Sequence, residues 1–190
     1  MFDLLVINDF LDAKTREEIV SEMRSASGGS ATVYGREAAG AVDTRVRKAT
    51  RVAISPETRE RVMLQLLNRK AAIEEHFGIA LSNCEEPQFL RYEIGDFFVA
   101  HQDGNTPLIF DDSRFRKVSV IIFLSTQSAE PSPDTYGGGS LVLHAPYPNH
   151  DICLPVAHEP GTLVAFRSET THEVMPVMHG ERYTIVSWYR

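Results

Sequence analysis

The chain has 190 residues, the length of one domain with modest elaboration. Its formal net charge of −7 withholds the broad positive field that sequence-independent nucleic-acid binding needs, and 43% hydrophobic against 24% charged residues is the composition of a globular domain able to bury a core. The amino terminus lacks the basic and long apolar regions of a signal peptide, no stretch approaches the ~20 apolar residues that cross a bilayer, and Cys84 and Cys153 are too few for a disulfide scaffold; the expectation is a cytoplasmic, reduced protein with two ordinary thiols and no membrane partner.

In chain order, residues 3–8 predict a short strand. A helix follows, signalled by a capping box at Thr15 and Glu18 and by Ile19, Val20, Met23 and Ala26 at helical spacing, and Gly28-Gly29 stops it. Residues 30–41, small and rich in Gly and Ala, predict a mobile loop, and the basic run 45–51 predicts a strand. Loop and run together read either as a lid or as a charged strand edge that resists aggregation. Ser55 and Pro56 open a second helix, Val62, Leu66, Ile73 and Phe77 form its apolar stripe, and Gly78 ends it. From residue 87 onward the pattern is β, with eight short strands expected at 88–93, 97–103, 118–125, 140–144, 152–156, 162–167, 172–177 and 182–189. The runs 118–124 and 163–166 are continuously apolar, as in strands covered on both faces. The fold class is therefore mainly β with supporting helices (α+β), a sandwich or barrel with helices packed outside it.

Within this frame His101-Gln102-Asp103 places an imidazole and a carboxylate two residues apart, on one side of a strand. That is two-thirds of the 2-His-1-carboxylate set that binds iron(II) and leaves positions open for substrate and oxygen. Alone the motif is weak, since His179-Gly180-Glu181 has the same form, and a His and Asp hydrogen-bonded to each other or to water is the better reading of it by itself. A third ligand is available in His172, at the start of a strand. In the last strand Arg182, Thr184, Val186 and Trp188 share a face, and an arginine facing inward among apolar residues calls for an anion, which suggests a bound dicarboxylate.

The sequence resembles the iron(II) and 2-oxoglutarate-dependent dioxygenases, in particular the prolyl 4-hydroxylase-like branch that includes the collagen and oxygen-sensing enzymes. The resemblance rests on five ordered motifs: Tyr92-x-x-Gly95-x-x-Phe98-x-x-His101-x-Asp103, the Gly137-Gly138-Gly139-Ser140-Leu141 run, Pro160-Gly161-Thr162 with the apolar strand after it, His172-Glu173-Val174, and Arg182-Tyr183 through Trp188. It implies a double-stranded β-helix (jelly-roll) core at about 86–190, with about 1–85 as support and lid, in a single domain over 1–190. It further implies iron(II) held by His101, Asp103 and His172, and 2-oxoglutarate with its far carboxylate on Arg182, near Tyr92 and helped by Thr184. Oxygen is the second substrate, L-ascorbate an accessory, and succinate and carbon dioxide the coproducts. Phe98 and Phe123 stand where relatives carry tyrosines, which leaves the anchoring of the far carboxylate open.

The reaction implied is hydroxylation of an unactivated C–H bond, with a prolyl residue in a peptide or protein as the favoured target. The alternatives are a small metabolite or free amino acid, and a non-catalytic 2-oxoglutarate-binding sensor. Asp103 argues against a halogenase, and Trp188, standing where nucleic-acid demethylases of the superfamily carry a second arginine, argues against base repair. Trp188 and Arg45 are the candidate substrate contacts. His144, His150, His158 and His179 lie in or beside loops and strand ends and read as surface or hydrogen-bonding residues. No feature of the sequence sets an oligomeric state.

Overall fold

The computed structural model describes residues 2–32, 42–107, 109–146, 148–149 and 151–190. Most of the expected lid, at 33–41, and His150 lie outside the described residues.

Strand β1 (Leu4–Ile7) leads into helix α1 (Ala13–Ser25), which begins earlier than the capping box at Thr15 and Glu18 places it. Asp12 is the cap: its carboxylate accepts from the Thr15 backbone N–H at 2.8 Å and from the Thr15 hydroxyl at 3.0 Å. Glu18, rather than folding back onto the cap, accepts from Arg61 of the second helix at 2.9 Å. The glycines after α1 open a strand, β2 (Gly28–Ser30), and a side chain on Gly28 would collide with the Thr50 methyl. Strands β3 (Arg47–Lys48) and β4 (Thr50–Val52) precede helix α2 (Pro56–Phe77), which has Ser55 as its cap, Pro56 in its first turn and Gly78 closing it in the left-handed conformation.

The β region comprises β5 (Gln88–Tyr92), β6 (Phe97–His101), β7 (Val118–Phe123), β8 (Thr126–Gln127), β9 (Thr135–Gly138), β10 (Leu141–His144), β11 (Cys153–Pro155), β12 (Leu163–Arg167), β13 (His172–Val174), β14 (Val177–His179) and β15 (Arg182–Tyr189). A seven-stranded sheet in the order β1-β12-β7-β15-β5-β4-β2 packs against a five-stranded sheet, β11-β10-β13-β6-β3, and a third sheet is built from β14, β9 and β8. The architecture is mainly β, a jelly-roll core with two supporting helices. The run expected at 172–177 divides because Pro176 has no N–H for a ladder, and the chain changes sheet there.

The apolar run of β7 is covered on both sides, as its composition requires. Val118, Val120 and Ile122 pack with Ile19, Met23, Val62 and Leu66 of the helices, whereas Ile121 and Phe123 face Leu141 and Leu143 of the smaller sheet. Each such fully buried aliphatic side chain contributes roughly 2 kcal/mol of transfer free energy. Ser119, the one polar residue of β7, shares the inward face with Ile121 and is buried. Among the described residues no helix is long and apolar enough to cross a membrane.

Candidate metal centre and pocket

The ladder between β6 and β13 sets His101 directly opposite His172, and Asp103 follows two residues after His101. One donor atom from each of the three lies within 4.8 Å of the others. The Nε2 atoms of His101 and His172 stand 3.5 and 3.4 Å from the two Asp103 oxygens. Each Nδ1–H is spent on a nearby carbonyl, His101 on Val99 at 2.8 Å and His172 on Thr170 at 2.9 Å, which leaves both Nε2 lone pairs aimed at the carboxylate. Three acceptors converging with no proton between them fit a cation, and two imidazoles with one carboxylate is a donor set suited to iron(II).

Asp103 is fixed from behind. Its backbone N–H donates to Ser168, and its carboxylate accepts from the Ser119 hydroxyl at 2.7 Å, with Ser168 Oγ 3.0 Å from Ser119 Oγ. Burial alone would raise the Asp103 carboxyl, but the positive charge that the adjoining His172 and His101 rings carry when protonated outweighs it and holds the group well below the usual carboxylate range. His172 is pushed down to about 4, chiefly by burial and then by His101, against the pull of Asp103. At neutral pH the site thus holds an ionised carboxylate beside a neutral His172. Phe98 stacks on His101 at 3.5 Å between centroids, and Phe166 meets His172 edge-on at 4.7 Å.

A pocket opens on these donors, walled by Leu90, Tyr92, Val174, Val186 and Trp188. Beyond Tyr92 lies Arg182, which is 1% exposed and directly opposite Tyr92 in the β15–β5 ladder. Its guanidinium sits 5.1 Å from the Tyr92 ring centroid and 5.5 Å from that of Phe123, and Nη1 donates to the Thr184 hydroxyl at 3.3 Å. Among the described residues its Nε and Nη2 are buried without a hydrogen-bond partner, and no carboxylate pairs with it. A buried cation in this state is costly unless an anion arrives.

Of the expected site residues, His101, Asp103 and His172 converge, Tyr92, Thr184 and Arg182 cluster beyond them, and Trp188 walls the pocket. Arg45 does not reach it. Its side chain is 88% exposed and locked to Asp43 at 3.0 Å, because residue 45 sits in a turn before the strand begins. Arg47 takes that place: pairing of β3 with β6 lays it over Phe98, 4.7 Å from the ring centroid, where it is buried and lines the pocket.

Two further residues belong to this end of the site. The His158 ring, expected at the surface or in a hydrogen bond, is in the second situation: it stacks on Phe123 at 3.5 Å with its Nε2 3.1 Å from the Tyr136 hydroxyl, while its Nδ1 is buried without a partner among the described residues. Burial, then the Arg182 charge, pushes His158 down to about 3. A neutral ring accepting from Tyr136 carries its N–H on Nδ1, one more donor awaiting an acceptor. The one hint in the sequence was Phe123, whose missing hydroxyl has to be replaced from elsewhere. Of the other histidines, His144 is hydrogen-bonded as expected, whereas both ring nitrogens of His179 are buried without partners among the described residues, and a side chain on Gly137 would collide with its ring.

The buried neutral His158 has a consequence for stability. Unfolded, it takes up a proton near its ordinary 6.5; folded, only near 3, so below pH 6.5 the unfolded state binds more protons and stability falls with pH. The expected loss from this residue between pH 7 and pH 5 is about 2 kcal/mol. Urea midpoints at the two pH values measure it, and His158→Asn should abolish that part of the acid sensitivity; an unchanged pH slope in the variant contradicts the burial of a neutral ring.

Residues 87–190 match the model of the family described as the 2OG-Fe(II) oxygenase superfamily. A PKHD-type hydroxylase of Paracoccus denitrificans (strain Pd 1222) is 34% identical, over 97% of this chain and 77% of its own length. In fold, the crystal structure of a Pseudomonas putida prolyl-4-hydroxylase is similar with a TM-score of 0.74 at 23% identity, covering 100% of this chain and 93% of that one. A prolyl hydroxylase from Trichoplax adhaerens, solved in complex with a hypoxia inducible factor oxygen degradation domain peptide fragment, has a TM-score of 0.68 at 20% identity, with 100% and 84% covered. The family match spans more than half of the chain and the Paracoccus relative nearly all of it, so the chain belongs to the 2OG-Fe(II) oxygenase superfamily and is a 2-oxoglutarate-dependent dioxygenase using iron(II) and oxygen.

Proposed function

We propose that this dioxygenase hydroxylates a prolyl residue of a peptide or protein, the whole chain acting as one catalytic domain, with iron(II) on His101, Asp103 and His172 and the far carboxylate of 2-oxoglutarate on Arg182. The observation that carries the cosubstrate assignment is the opposed demand of the two ends of the site: three acceptors converge at one end, and buried N–H groups without acceptors gather at the other. A 2-oxo dicarboxylate together with a divalent metal answers both. When bound, iron(II) with 2-oxoglutarate and oxygen supplies oxidative decarboxylation to succinate and carbon dioxide, coupled to oxygen insertion into a C–H bond.

The protein's own part is to orient and exclude. Ser119 holds the Asp103 carboxylate, the backbone carbonyls of Val99 and Thr170 fix the imidazole tautomers, and Leu90, Val174 and Val186 keep the wall between the two ends apolar. Thr184 holds one arm of Arg182, and Tyr136, by donating to His158 Nε2, leaves the His158 Nδ1–H as a further donor for the same carboxylate. For the target, support comes from the prolyl hydroxylases that share the fold, one of them solved with a peptide.

A second reading, a free amino acid or other small anionic substrate, is favoured by Arg47, a buried guanidinium lining the pocket, whose Nη1 donates to the Thr32 carbonyl and whose Nε has no partner among the described residues. Incubation of the iron-loaded enzyme with 2-oxoglutarate and, separately, proline-containing peptides and free amino acids, followed by mass spectrometry, decides between them. The expected result is a gain of one oxygen on a prolyl residue of a peptide with matching succinate. A gain on free amino acids alone selects the second reading, and succinate without any oxidised substrate across both sets overturns both.

A further inference from the structure

On the side of the smaller sheet facing away from the metal pocket, three adjacent strands bring together a cysteine, a histidine and a glutamate that the dioxygenase reaction does not use. Alternation along the strands puts them there. Leu143 of β10 packs in the core and pairs with His172 of β13, so their neighbours His144 and Glu173 turn to the opposite face. Cys153, in the edge strand β11, pairs directly with His144 and is exposed. Its Sγ is 3.3 Å from Nδ1 of His144, and Nε2 of the same ring is 3.0 Å from Oε1 of Glu173. A carboxylate at that distance accepts, so the ring proton belongs on Nε2 and Nδ1 presents its lone pair to the thiol. Nucleophile, base and a carboxylate that orients the base stand in sequence, with the sulfur open to solvent. The described titratable groups around the sulfur are His144 from β10 and Glu173 from β13, with Asp151 in the preceding turn, whose backbone carbonyl is 3.7 Å from Sγ.

We propose that Cys153, activated by His144 and oriented through Glu173, is a reactive thiol that undergoes exchange with low-molecular-weight disulfides. His144 takes the thiol proton as the sulfur attacks one sulfur of the disulfide; a new S–S bond forms, the original S–S bond breaks, and the departing thiolate leaves with the proton from His144. One thiol and one disulfide go in, a mixed disulfide and one thiol come out, and no further oxidant enters. The site shares no residue with the pocket and stands independently of the hydroxylase reading.

Cys84 is the internal control, since it is buried, lies 3.2 Å from the Ser187 hydroxyl, and has its thiol pushed up by burial. The full-length protein is incubated with oxidised glutathione, and in parallel with iodoacetamide, between pH 5.5 and 9, and the two cysteine peptides are quantified by mass spectrometry. Cys153 should form the mixed disulfide at pH 7 while Cys84 stays unmodified. His144→Gln should slow both reactions of Cys153 about tenfold at pH 7 and move its pH–rate midpoint upward. Glu173→Gln should act in the same direction with a smaller effect, and it carries the test if the first variant fails to fold. Reaction of Cys153 at the rate of glutathione's own thiol and with its pH profile, unchanged in both variants, overturns the proposal, as does modification of Cys153 no faster than of Cys84.

Discussion

Replacing Asp103 with alanine is expected to lower the affinity for iron(II) by more than about a hundredfold and to end 2-oxoglutarate turnover. Asp103 is the only anion in the donor set, and both imidazoles approach it with bare Nε2 atoms, so its loss removes the charge that offsets the metal and leaves two neutral ligands. Ser119 gives the graded control. Its hydroxyl holds one Asp103 oxygen at 2.7 Å from the inward face of β7, and Ser119→Ala should weaken metal binding by about tenfold, at the low end for residues that orient a ligand. Calorimetric titration with manganese(II) under matched conditions reads both variants without turnover. Equal affinity in wild type and Asp103→Ala would place the metal elsewhere.

What the sequence recorded and what it concealed divide along the range of the interactions. Local chemistry was legible: Ser55, Pro56 and Gly78 marked both ends of α2, and the unbroken apolar run of β7 announced a strand covered on both faces. At the start of α1 the sequence offers an acceptable box in Thr15 and Glu18, but Glu18 pairs with Arg61 on the other helix and the Asp12 carboxylate takes the Thr15 N–H and hydroxyl, which sets the start at Asp12. The sheet of β8, β9 and β14 went unforeseen because glycines at 137 and 138 carry no β signal; what holds them is the space that His179 and the turn at Pro176 leave. The metal centre depended on a register pairing residues 101 and 172, which periodicity does not encode, and the ordered motifs of a known family supplied that link. His158 was lost for the same reason: its position in a loop says surface, and its stacking on Phe123 exists only once the two sheets close.

The exchange of Arg182 for methionine should move two measurements in opposite directions. The guanidinium is buried and its Nε and Nη2 meet no acceptor among the described residues, so an apolar side chain of similar length should raise the stability of the protein measured without cosubstrate by roughly 1–3 kcal/mol. In the metal-loaded protein the same exchange removes the partner of an incoming carboxylate, at a cost of about 3–5 kcal/mol, or roughly two to four orders of magnitude in 2-oxoglutarate affinity. The analogue 2-oxopentanoate, which keeps the keto acid end and lacks the far carboxylate, should bind the variant as well as it binds the wild type. His158→Asn and Tyr136→Phe should fall between, each weakening 2-oxoglutarate by about tenfold and leaving the analogue unaffected, because the groups they alter meet only the far end. A variant that loses both ligands equally has damaged the metal end instead. One that loses stability as well as affinity shows that the arginine was already satisfied in the empty pocket, which removes the reason for assigning a carboxylate to it.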